Sequence, residues 1–201
     1  MVMSATHRIG VPRNERPDAE LLAASASSES FGLLFERHVD AIYSYLSRRV
    51  GAQVADELAA ETFVRAFEQR SRFVPLHDSA GPWLYGIATN LVRKAWRGER
   101  RQLAAYAKTA AIRQRAADDF ERADARVDAS RASRLLAAAL VDLRPGDRDA
   151  LLLFAWQELT YEEIGVALGI PAGTVASRIN RARRHIKISL AEAGDRSMET
   201  E

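Results

Sequence analysis

The stretch Leu159 to Arg184, LTYEEIGVALGIPAGTVASRINRARR, constrains the fold more than any other, because its punctuation specifies a helix, a tight turn and a second helix. Thr160 is placed to N-cap the first helix, and Glu163 stands three residues on, the spacing of a capping box. Leu159, Ile164, Ala167 and Leu168 form an apolar stripe. Gly169 then permits the left-handed residue that ends a helix. Pro171 suits the first turn of the next helix, where its missing N–H removes a donor that had no partner. This is the layout of a DNA-reading helix-turn-helix.

The second helix of the pair divides into two faces. Val175, Ile179, Ala182, Ile186 and Leu190 recur at helical spacing and make one buried stripe. The other side carries Ser177, Asn180, Arg181 and Arg184, flanked by Arg178, Arg183 and Lys187. From Pro171 to Leu190 there are five Lys/Arg and no Asp/Glu, a local charge of +5 against +2 for the whole chain. A basic face alone also fits an ordinary solvated helix. The cap, glycine, proline and turn spacing together favour a major-groove reader, with Arg and Asn on base edges and flanking cations on phosphates.

The rest of the 201-residue chain reads as helical, with little strand signal. We expect an all-α fold of two small domains joined by a flexible linker, the second holding the helix-turn-helix. Residues 1–28 mix Pro, Ser, Ala and charge without periodicity and read as a disordered tail. Residues 29–101 form the first domain, with a helical stripe from Phe31 to Leu46 that Gly51 breaks, and helices expected over about Val54–Gln69 and Trp83–Arg101. Residues 102–133 contain eleven Ala, six Lys/Arg and five Asp/Glu, too few large apolar side chains for a core, and read as the linker. Residues 134–192 form the second domain and 193–201 a polar tail.

Composition excludes several chemistries. The chain has no cysteine, which removes disulfides, thiol catalysis and cysteine-ligated metals. No apolar run approaches the ~20 residues of a membrane span, and the opening MVMSATHRIG lacks the apolar core of a secretion signal. A cytoplasmic protein without membrane insertion is expected. His7, His38, His77 and His185 are scattered, and no nucleophile–base pair, phosphate loop or metal spacing accompanies the acidic pairs. No catalytic residue, metal ligand, cofactor or small-molecule substrate is expected.

Two helices of the first domain carry opposite charge. From Asp56 to Glu68 four acids face one Arg, a local charge of −3. Asp56, Glu57, Ala60, Glu61, Val64, Arg65 and Glu68 share its outer side, and the interleaved Ala60 and Val64 give apolar patches. That is either a plain acidic surface or a docking face for a basic protein. From Gly81 to Arg101 five Lys/Arg face only Glu99, a local charge of +4. Gly86, Asn90, Arg93, Lys94 and Arg97 share one exposed side, with Trp83, Tyr85 and Trp96 between the charges. Cations beside aromatics suit partly melted DNA, although aromatics at helical spacing also serve as core.

The segments FGLLFERHVDAIYSYLSRRVG, ADELAAETFVRAFEQRSRF and GPWLYGIATNLVRKAWRGERR, followed by the helix-turn-helix domain, resemble bacterial RNA polymerase sigma factors of the extracytoplasmic-function group. The resemblance implies a promoter-specificity subunit. It makes Asp56, Glu57, Ala60, Glu61, Val64, Arg65 and Glu68 contacts to the clamp coiled coil of the core polymerase β′ subunit. It assigns Phe73, Trp83, Asn90, Arg93, Lys94 and Arg97 to the minus-ten element, with the loop Phe73 to Ser79 as the pocket for an unpaired base. Thr174, Ala176, Ser177, Asn180 and Arg181 would face the minus-thirty-five groove, with Arg178, Arg183 and Arg184 nearer phosphates. The second domain would also bind the β flap, and an anti-sigma protein is a further implied partner. Ala60 stands where a Gln is common, Ala176 where a basic side chain is frequent, and FVPLHDSAGPW follows no pattern that assigns its base preference. The competing reading is a helix-turn-helix regulator that binds duplex operators without polymerase, as a dimer with spaced half-sites.

Overall fold

The computed structural model describes residues 16–23, 27–75, 79–109 and 127–198. Among these residues every regular element is helical. The first unit comprises α1 (Asp18–Leu21), α2 (Ser28–Val50), α3 (Ala52–Gln69) and α4 (Gly81–Thr109), with a 3-10 turn at Arg70–Arg72. The second comprises α5 (Val127–Asp142), α6 (Pro145–Gln157), α7 (Tyr161–Leu168) and α8 (Ala172–Met198).

Local sequence accounts for most helix boundaries. Ser27 caps α2 by accepting the Ser30 N–H at 3.3 Å. Pro145 occupies the first turn of α6, and Asp147 lies in that turn, where a carboxylate meets the positive end of the helix dipole. At α7 the expected capping box is complete: the Thr160 hydroxyl accepts the Glu163 N–H at 3.2 Å while Glu163 Oε2 accepts the Thr160 N–H at 2.8 Å. Gly169 ends α7 at φ 65°, and the Ile170 N–H returns to the Gly165 carbonyl at 3.0 Å.

Apolar stripes then decide the packing. Leu34, Ile42 and Leu46 of α2 meet Ala55, Ala59, Phe63 and Ala66 of α3 and Leu84, Ala88 and Val92 of α4. Phe35 and Phe63 pack edge to face at 4.7 Å. In the second unit Leu143, Ala150, Leu153, Ile164, Val175, Ile179 and Ala182 form the buried set. Fully burying one such Leu or Ile contributes about 1.5–3 kcal/mol. Phe67 and Leu190, expected on buried stripes, remain 36% and 38% exposed.

Several expected boundaries need correction. The proposed disordered tail 1–28 is helical at Asp18–Leu21, because Leu21 and Leu22 find an apolar seat and Asp18 finds buried donors. Residues 1–15 lie outside the described residues. The proposed linker 102–133, whose composition allows helix in parts, is helical at both ends: α4 runs on past the expected Arg101 to Thr109 and α5 begins at Val127. Its alanine-rich composition carries high helix propensity. Residues 110–126 lie outside the described set. The polar tail 193–201 is helical to Met198, continuing α8.

The two units are not apart. They share one continuous buried cluster, and α4 crosses the end of α7 so closely that a Cβ at Gly86 would lie 2.5 Å from the Ala167 carbonyl oxygen. Gly86, expected on the exposed side of α4, is therefore buried.

Candidate protein-docking and nucleic-acid interfaces

The outer side of α3 is open. Asp56, Glu57, Ala60, Val64 and Glu68 are exposed, Val64 to 53%, while Ala55, Ala59, Thr62, Phe63 and Ala66 are buried on the opposite side. Glu61 and Arg65 are half-exposed and pair one turn apart, Arg65 Nε to Glu61 Oε1 at 2.6 Å. A pair so accessible contributes about 0.3–0.5 kcal/mol, too little to lock either side chain. Acidic charge interrupted by Val64 and Ala60 can bind a basic surface that also offers apolar contact.

On α4 the expected residues divide. Asn90, Lys94 and Arg97 are exposed, and Trp83 lies half-buried with its ring 5.2 Å from that of Phe73. Arg93 is engaged: its Nε donates to Asp149 Oδ2 at 2.6 Å. The other carboxylate oxygen of Asp149 accepts from Arg49 Nη2, also at 2.6 Å. Asp149 and Arg49 are each about 1% exposed in their side chains. Arg49 also donates to the Tyr45 hydroxyl at 2.7 Å, which shares a hydrogen bond with Thr89 at 2.8 Å. One carboxylate of the second unit thus pairs with two cations of the first, one on each oxygen.

Aromatic contacts surround this pair. Arg49 and Arg148 lie over the Trp96 ring at 5.3 and 5.0 Å, and Arg48 lies over Trp156 at 5.8 Å. The Tyr85 hydroxyl donates to Gln157 at 2.5 Å. Burial, with Tyr45 adding, pushes that hydroxyl up to about 12, so it remains a donor. Trp96 and Tyr85 accordingly belong to the interior between the units. Arg49, Asp149 and Gln157 carried no periodic signal. Asp149 sits in the second turn of α6, where a lone acid breaks no local pattern.

The third surface is α8. Ser177, Asn180, Arg181 and Arg184 stand together on one exposed side, with Arg178 half-buried and Thr174 and Ala176 partly covered at the helix start. The Ser177 hydroxyl donates back to the Gly173 carbonyl at 3.0 Å. Arg181 makes two parallel hydrogen bonds to Asp147, both 2.7 Å. Those bonds hold the Asp147 carboxyl below its ordinary value against the opposing effect of burial, and the charges of Arg181, Arg178 and Arg144 add to the lowering. Arg183 turns away from this side, its guanidinium 4.9 Å from the Phe154 ring.

Residues 34–102 match the sigma-70 region 2 family and residues 133–186 match sigma-70 region 4. The chain is 31% identical over 170 residues to the RNA polymerase sigma factor CarQ of Myxococcus xanthus, covering 83% of this chain and 92% of CarQ. The chain belongs to the extracytoplasmic-function group of RNA polymerase sigma factors. A second relative, the extracytoplasmic-function sigma factor SigE of Mycolicibacterium smegmatis, is 34% identical over 176 residues, spanning 83% of this chain but 64% of SigE. Among solved structures, CnrH in complex with the cytosolic domain of CnrY superposes with a TM-score of 0.60 at 26% identity, covering 87% of this chain and 97% of CnrH. Two sigma-70 regions in order make this sigma factor a promoter-specificity subunit rather than an independent operator-binding regulator. Among the described residues, no helix is long and apolar enough to cross a membrane.

Proposed function

We propose that this sigma factor docks on core RNA polymerase through the open side of α3 and grips promoter DNA with α4 and α8. Asp56, Glu57, Ala60, Glu61, Val64, Arg65 and Glu68 form the docking face for the β′ clamp coiled coil. Phe73, Trp83, Asn90, Arg93, Lys94 and Arg97 serve the minus-ten element, where capture of an unpaired base offsets the few kcal/mol of lost stacking. The middle of that loop, residues 76–78, lies outside the described residues. Thr174, Ala176, Ser177, Asn180 and Arg181 meet the minus-thirty-five groove, with Arg178, Arg183 and Arg184 toward phosphates, while the second unit binds the β flap. Within the two units, residues 29–101 form the part that serves polymerase docking and the minus-ten element, and residues 134–192 the part that serves the minus-thirty-five element.

The observation that carries this reading is the sign of the exposed charge: acidic on α3, basic on α4 and α8. A polyanion repels the first face and attracts the other two, so one chain bridges a protein and a nucleic acid. Arg93 reaches DNA only once its bond to Asp149 is given up, so promoter engagement includes separation of α4 from α6. CnrH, whose fold is shared, is bound by the cytosolic domain of CnrY; an anti-sigma protein covering these faces is the corresponding partner here. The protein acts in the cytoplasm with polymerase, and no residue is assigned a catalytic role.

The test is reconstitution. Core polymerase with this chain, given genomic DNA from its own source, is expected to start transcripts at a defined set of promoters, mapped by sequencing their 5′ ends. Failure to initiate at any of them, with nanomolar duplex binding by the free chain, would overturn the proposal.

A further inference from the structure

The segment before α2 lies outside the family match, which begins at residue 34, yet it makes the most concentrated buried polar contact of the first unit. Asp18 is 1% exposed, and the adjoining Leu21 and Leu22 are 0% and 2% exposed. The Asp18 carboxylate accepts from the Arg37 guanidinium, from His38 Nε2 at 2.7 Å and from the backbone N–H of Ala80 at 2.7 Å. Burial pushes this carboxyl up, but the His38 and Ala80 hydrogen bonds and the His38 and Arg37 charges outweigh it, leaving the carboxyl below its ordinary value. It is an anion held by three donors.

Two donors come from α2. The third comes from the residue that opens α4: the Ala80 carbonyl accepts the Leu84 N–H at 3.0 Å in the first turn, and Ala80 is itself fully buried. The Gly81 N–H goes to the Ser79 hydroxyl at 3.0 Å. A carboxylate from a distant segment therefore joins the Ser79 hydroxyl in satisfying the N–H groups at the start of α4, where a helix start favours negative charge. Trp83 stands three residues beyond, with Phe73 against its ring. Moving the start of α4 moves that aromatic pair and, through the rigid helix, Asn90.

We propose that Asp18 is a positioning residue for minus-ten recognition: by binding Arg37, His38 and the Ala80 N–H together, it sets where α4 begins and where Trp83 and Asn90 present themselves. This rests on the reading that α4 meets the minus-ten strand.

The experiment uses holoenzyme assembled from the full chain and a fluorescent single-stranded minus-ten oligonucleotide from a promoter mapped as above. The readout is the ratio of affinities for the native oligonucleotide and for one with substituted bases. Asp18→Ala is expected to lower that ratio about tenfold, since displacement of a contact by about 1 Å has effects of that order or larger, while leaving affinity for core polymerase unchanged. Arg37→Met removes a charge partner of Asp18 but keeps the cap on Ala80, and it controls for stability; it is expected to keep the ratio. Asn90→Ala tests the underlying reading and is expected to lower the ratio. If Asn90→Ala lowers the ratio and Asp18→Ala does not, Asp18 has no positioning role. Equal loss in Asp18→Ala and Arg37→Met, or loss of core binding in step with the ratio, reduces Asp18 to a general stabiliser and overturns the proposal. A ratio untouched by Asn90→Ala removes the minus-ten assignment of α4 and the proposal with it.

Discussion

The acidic side of α3 and the basic side of α4 belong to neighbouring helices of one small unit, yet they stand in opposite conditions. The ion pair on α3 is solvent-washed, its two side chains 34% and 43% exposed, and the face around it is open. The pair on α4 is covered at its acid: Asp149, 1% exposed, is shared by the equally buried Arg49 of α2 and by Arg93, whose side chain keeps 28% exposure. The geometries are alike, with both contacts at 2.6 Å, but the energetics are not. Water around Glu61 and Arg65 leaves an interaction of a few tenths of a kcal/mol. Around Asp149 it has been replaced by protein, so each charge depends on its partner. Sign therefore indicates what a surface attracts, whereas burial decides whether it is available.

The sharpest way to break this contrast is Asp149→Ala. Arg49 would be left buried without a counter-charge, at a cost of about 3–5 kcal/mol to the packed arrangement. We expect a lower urea midpoint and greater separation of the units. Because the chain has no native cysteine, dyes on Glu68→Cys and Lys187→Cys report that separation by energy transfer. Transfer and midpoint both matching the parent would mean that the buried pair holds nothing together.

Reversing the open face should do the converse. Glu57→Arg combined with Glu61→Arg is expected to weaken core-polymerase binding at least about thirtyfold, or about 2 kcal/mol, with folding stability changed by no more than about 0.5 kcal/mol. Holoenzyme assembly followed by fluorescence anisotropy measures the first and urea unfolding the second. Undiminished assembly would take the docking role away from α3.

The smallest expected effect lies in the acid range. Asp147 has its carboxyl lowered in the folded chain from an ordinary 3.8. The unfolded state therefore takes up the proton first as pH falls. Its contribution to stability is present above the ordinary value and is lost as pH drops below 3.8 through the lowered one. Asp147→Asn should flatten that part of the Tm-against-pH curve. A curve parallel to that of the parent would show that the Arg181 contact does not favour the charged carboxylate.

Much of the second unit was legible in sequence because its signals are local. A Thr with Glu three residues on, a Gly past the last apolar position and a Val175–Ile179–Ala182 stripe each act within a few turns, and the structure shows all three. The charges of α3, α4 and α8 were likewise countable. The Asp149–Arg49 pair was not, since its members are 100 positions apart and neither breaks a local pattern. Asp18 was hidden in the same way: its partners Arg37, His38 and Ala80 lie 19, 20 and 62 positions on. In isolation its surroundings resemble any polar tail.

By itself, then, the order of residues determined the helices, their caps, their apolar stripes and the sign of each outward face, because propensity, capping and periodicity operate over one to three turns. Only the tertiary structure decided that Gly86 lies against Ala167, that Asp149 engages Arg49 and Arg93 together, and that Asp18 binds the N–H at the start of a helix far along the chain. Those outcomes follow from how preformed helices meet. Which distant groups lose their water together is a property of that packing rather than of any stretch of sequence.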